Sequence, residues 1–76
     1  MLTALPNYAA MTPQANTLYQ QACTLEYQKD LQGAANKILE ALKLTGDDPM
    51  LYTKLAGIYT DMDKLDEAIA AYDKVI

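Results

Sequence analysis

The feature that most constrains this chain is an internal recurrence. At a shift of 34 residues, Leu18 matches Tyr52, Ala22 matches Ala56, Leu25 matches Tyr59 and Leu31 matches Leu65. Ala34 with Ala68, Ile38 with Tyr72 and Ala41 with Val75 complete seven apolar matches at that one shift. A unit this short cannot bury its apolar face alone, so a chain that uses it twice must stack the copies. The 76 residues suffice for one small domain, and the 51% hydrophobic fraction suffices for a core and argues against wholesale disorder.

Within each copy the apolar spacing is helical. Thr12-Pro13 and Asp48-Pro49 each read as an N-cap followed by proline at the first helical position. The first helix buries Leu18, Ala22 and Leu25. Asp30 caps a second carrying Leu31, Ala34, Ala35, Ile38, Ala41 and Leu42, and Gly46 ends it. The third carries Tyr52, Leu55, Ala56, Tyr59 and Met62. Asp63, with Asp66 three residues on, reads as a capping box that opens a fourth helix through Leu65, Ala68, Ile69, Tyr72 and Ile76. No segment alternates apolar and polar residues as a half-buried strand does. The expected fold is all-α: a leader at 1–12, a first helix–turn–helix unit at 13–48 and a second, incomplete unit at 49–76. Ala22, Ala34, Ala56 and Ala68 are small where paired helices cross, and Leu25, Ile38, Tyr59 and Tyr72 fill the space beside them. Tyr52 joins Tyr59 and Tyr72 between helices, and Tyr8 of the leader is placed to cover the first helical pair.

These residues resemble the tetratricopeptide repeat. Tyr52, Leu55, Ala56 and Tyr59 stand where that family has a large residue, leucine, a small residue and tyrosine. Asp66-Glu67-Ala68-Ile69-Ala70-Ala71-Tyr72 is similar to the opening of its second helix. The first copy departs at Gln21, where leucine is usual, and at Gly46, where a proline commonly closes the repeat. The resemblance implies a two-repeat α-solenoid and a protein–protein interaction module. The concave groove of its first helices would hold a peptide or helix, as part of a larger scaffold or complex. Counting about 100° per residue, Asn16, Tyr19, Cys23, Glu26 and Tyr27 form a stripe away from the buried one on the first helix. Met50, Thr53, Gly57, Thr60 and Asp61 are their counterparts on the third. Members of the family that grip acidic chaperone tails use lysine and asparagine where this chain has Tyr19 and Cys23. With Glu26 and Asp61 also in the groove, a carboxylate is expected to find no cation there. An alternative role is self-assembly, with Ile69, Tyr72, Val75 and Ile76 meeting another copy as a homo-oligomer.

Composition narrows the chemistry. The chain has no His, Arg, Ser, Trp or Phe; its six cations are all lysine and its six aromatics all tyrosine. Serine nucleophiles, histidine bases and arginine clamps are excluded, and Cys23 has no histidine partner. The string from Asp61 to Glu67 lacks the central glycine of a calcium loop, and Tyr72 stands where its closing glutamate belongs. Asp47-Asp48 and Asp66-Glu67 fall at helix starts, where they suit the helix dipole better than acid–base catalysis. No catalytic residue, metal or cofactor is expected, and the chain is not expected to be an enzyme. A net charge of −4 argues against nucleic-acid binding, and no apolar run is long enough to span a membrane. A single cysteine and no secretory signal make the cytoplasm the default location.

Overall fold

A computed structural model describes residues 12–76; positions 1–11 of the leader, with Tyr8, lie outside the described residues. Those residues form four α-helices: α1 (Pro13–Tyr27), α2 (Leu31–Thr45), α3 (Pro49–Asp61) and α4 (Leu65–Asp73). No strand occurs among them, so the fold is all-α. Each helix packs on the next in sequence.

Three of the four starts follow local capping chemistry. Thr12 Oγ1 accepts from the Ala15 N–H at 3.1 Å, Asp30 Oδ1 from Gly33 at 3.0 Å and Asp48 Oδ1 from Met50 at 2.9 Å. Proline at the start of α1 and α3 needs no hydrogen-bond partner for its nitrogen. Gly46 ends α2 at φ 80°, a left-handed conformation that glycine adopts without steric cost.

The fourth start corrects the expected capping box. Lys64, not Asp63, is the N-cap residue of α4, and no side chain caps that helix. Asp63 is instead left-handed at φ 64°, so its backbone cannot serve as an N-cap. The reason lies at the end of α3, where the Lys64 N–H donates back to the Tyr59 carbonyl at 2.8 Å and Asp63 to Thr60 at 2.9 Å. This closure requires one left-handed residue after the helix. The same turn stands 34 residues earlier. Lys29 has φ 70°, Asp30 donates to the Leu25 carbonyl at 2.8 Å, and Lys29 donates to Glu26 at 3.0 Å. The recurrence thus extends from side chains to backbone hydrogen bonds, and the chain has a helical repeat-like character.

The core holds Ala15, Ala22, Ala34, Ala35, Ile38 and Ala41 from the first pair, with Leu51, Leu55 and Ile58 from α3. Ala22, Ala34 and Ala56 are fully buried and Ala68 nearly so, which lets the paired backbones approach closely. Ile38, Leu51 and Ile58 are the largest side chains completely removed from solvent. Tyr52 and Tyr59 are half-buried against this cluster. Tyr72 is not packed between helices as expected: it is 45% exposed, because no helix among the described residues lies over that side of α4. The fourth helix also stops at Asp73, so Val75 and Ile76 lie beyond it.

Candidate functional site

The ion pair between Lys54 of α3 and Glu26 of α1 brings one face of each helix beside the other. Between them is an open cleft of about 410 Å³ lined by Tyr19, Glu26, Met50, Thr53, Lys54 and Gly57. Five of the six belong to the two stripes read from the sequence. Tyr19 and Thr53 stand 34 residues apart, the same shift as the apolar recurrence. A larger depression of about 640 Å³ lies between α2 and the Tyr52 ring, but it draws on no recurring pair of first-helix residues.

Lys54 corrects the expectation that this face holds no cation. Its Nζ donates to Glu26 Oε1 at 3.0 Å, joining α3 to α1, and lies 5.8 Å from the centre of the Tyr19 ring. The hydrogen bond to Glu26 raises the Lys54 pKa; partial burial opposes this, and the nearby Glu26, Cys23 and Tyr19 add smaller upward contributions. The ammonium group is therefore already engaged. An incoming carboxylate would have to compete with Glu26 for it.

The threonines are partly committed as well. Thr53 Oγ1 donates to the Pro49 carbonyl at 2.8 Å and Thr60 Oγ1 to Ala56 at 2.9 Å, which leaves each hydroxyl as an acceptor. Gly57 faces open space: a Cβ built there meets nothing within 4 Å. Its lack of a side chain is not demanded by the packing of the described residues.

The other stripe residues stand outside the cleft lining. Asn16, Thr60 and Asp61 are exposed, Cys23 is half-buried, and Tyr27 projects from the end of α1 at 88% exposure. Of the residues placed at the self-association end, Ile69, Tyr72, Val75 and Ile76 are all exposed. Among the described residues no helix is long and apolar enough to cross a membrane, and no three potential metal ligands gather together. Neither the protein-family models, nor the curated proteins, nor the solved structures include a match to this chain.

Proposed function

We propose that this chain is a tetratricopeptide-like α-solenoid segment, a non-enzymatic protein–protein interaction module that binds an extended peptide along the cleft between α1 and α3. The observation that carries this reading is the composition of the cleft. Residues of α1 and α3 that share the 34-residue spacing line it, and Gly57 leaves room for a ligand backbone where the packing of the described residues does not demand a glycine. Tyr19 and Met50 offer apolar contact, and Thr53 offers a hydrogen-bond acceptor. Because Lys54 is paired with Glu26, the cleft suits a neutral or basic peptide better than an acidic one. A cytoplasmic setting and a place in a larger scaffold belong to the same proposal.

Selection from a displayed library of random peptides tests it. Selected peptides should bind the wild-type chain at least tenfold more tightly than the Tyr19→Ala variant, since a tyrosine that acts as a hot spot costs about 2 kcal/mol or more on truncation. Tyr27→Ala, outside the cleft, should bind them normally. A library that yields no peptide, or peptides indifferent to Tyr19→Ala, would overturn the reading.

A further inference from the structure

The outer face of α4 carries an argument independent of the cleft. Leu65, Ile69 and Tyr72 are 54%, 59% and 45% exposed and share one side of the helix. One period earlier stand Leu31, Ala35 and Ile38 of α2. Those three lie in or against the core cluster with Leu51, Leu55 and Ile58 of α3, so the equivalent surface on α2 is covered by an apolar helix. The spacing of that covering stripe is i, i+4, i+7. Repetition of the α2–α3 interface therefore specifies what fits α4: a helix, presenting apolar side chains at that spacing.

A second copy of this chain supplies no such helix among its described residues. Its α3 stripe is already spent on α2. The equivalent positions of α1 are Thr17, Gln21 and Thr24, all polar and exposed. Pairing two α4 helices antiparallel about a two-fold axis would set Asp66 and Asp73 of one copy beside those of the other. Those two carboxylates settle the charge of the occupant. At about 100° per residue they flank the apolar stripe roughly 40–60° around from Ile69, on the same side. Both are exposed, and no salt bridge to either occurs among the described residues. Lys74 does not neutralise this flank; it lies over the Tyr52 ring, 5.9 Å from its centre. The acidic edge also disfavours an anionic lipid surface, which recruits lysine-rich faces.

We propose that the outer face of α4 is a docking site for a basic amphipathic helix from a partner chain, with apolar residues at i, i+4 and i+7 and lysine or arginine beside them. The probes are three synthetic peptides: a leucine–lysine helix with that spacing, a leucine–glutamate counterpart and a scrambled leucine–lysine sequence. Binding is read by amide chemical shifts of the intact chain at moderate salt. The leucine–lysine helix should shift the Leu65–Asp73 amides and bind at least tenfold more tightly than either control. Ile69→Lys should abolish this binding while leaving the helical circular dichroism unchanged, because Ile69 is mostly exposed. Asp66→Lys combined with Asp73→Lys should reverse the preference toward the leucine–glutamate peptide. Equal binding of the scrambled peptide, shifts centred away from α4, or indifference to Ile69→Lys would overturn the proposal. So would self-association of the wild-type chain that Ile69→Lys disperses, or Ile69-dependent binding to vesicles containing phosphatidylserine.

Discussion

Replacing Gly57 with alanine separates what the fold requires from what the cleft offers. Glycine inside a helix is less stable than alanine by roughly 0.5–1 kcal/mol, through the extra backbone entropy lost on folding. At Gly57 the added methyl meets nothing within 4 Å, so no packing cost offsets that gain. A domain of this size shifts its Tm by about 4–8 °C per kcal/mol, so Gly57→Ala should melt roughly 2–8 °C higher. Gly33→Ala is the matched control. There the new methyl would collide with the Asp30 carboxylate, whose bond to the Gly33 N–H caps α2. Losing that cap costs about 1 kcal/mol and cancels most of the propensity gain. Thermal melts followed by helical circular dichroism read both variants. A Gly57→Ala chain that melts below wild type would refute the claim that this position faces open space. One that is stabilised and still binds its selected peptides unchanged would remove Gly57 from the cleft's working surface.

Three other outcomes follow from the same geometry. Ala34→Leu or Ala56→Leu should destabilise by roughly 1–3 kcal/mol, measured by urea unfolding, because both alanines are fully buried where helices cross. Lys29→Gly and Asp63→Gly should each stabilise by about 0.5–1 kcal/mol in the same assay, since both positions are left-handed and favour glycine. Lys54, hydrogen-bonded to Glu26, and Tyr52, whose hydroxyl donates to Asp47 Oδ1 at 3.0 Å, both have raised pKa values, chiefly through those hydrogen bonds. A raised folded-state pKa gives stability that is complete below the unfolded value and is lost as pH climbs through the folded one. Unfolding free energy should therefore fall as pH rises past about 10, and Lys54→Met with Tyr52→Phe should flatten that decline.

The recurrence in the sequence was enough to place all four helices, because caps, prolines and apolar spacing are local signals that agree with one another. The misses were of a different kind. Asp63 carries the residue type and spacing of a capping box, yet closure of α3 onto the Lys64 N–H decides its backbone, and aspartate tolerates the left-handed region. Leu51 and Ile58 are the largest fully buried residues of α3, but they match Thr17 and Thr24 in the first copy. Residues that join one copy to the other differ between the copies and so leave no mark on the recurrence. The cleft was legible through Tyr19, Glu26, Met50, Thr53 and Gly57. Lys54 was not, because its role depends on Glu26, 28 residues away, which only the packing of α3 beside α1 brings within 3.0 Å.

The claim that the α1–α3 cleft is the binding face is tested most directly by mapping a selected peptide onto the chain by amide chemical shifts. The largest changes are expected at Tyr19, Thr53, Lys54 and Gly57, with the far side of α2 around Leu39 and Lys43 undisturbed. Shifts centred on the outer side of α2, or spread evenly over all four helices, would contradict it.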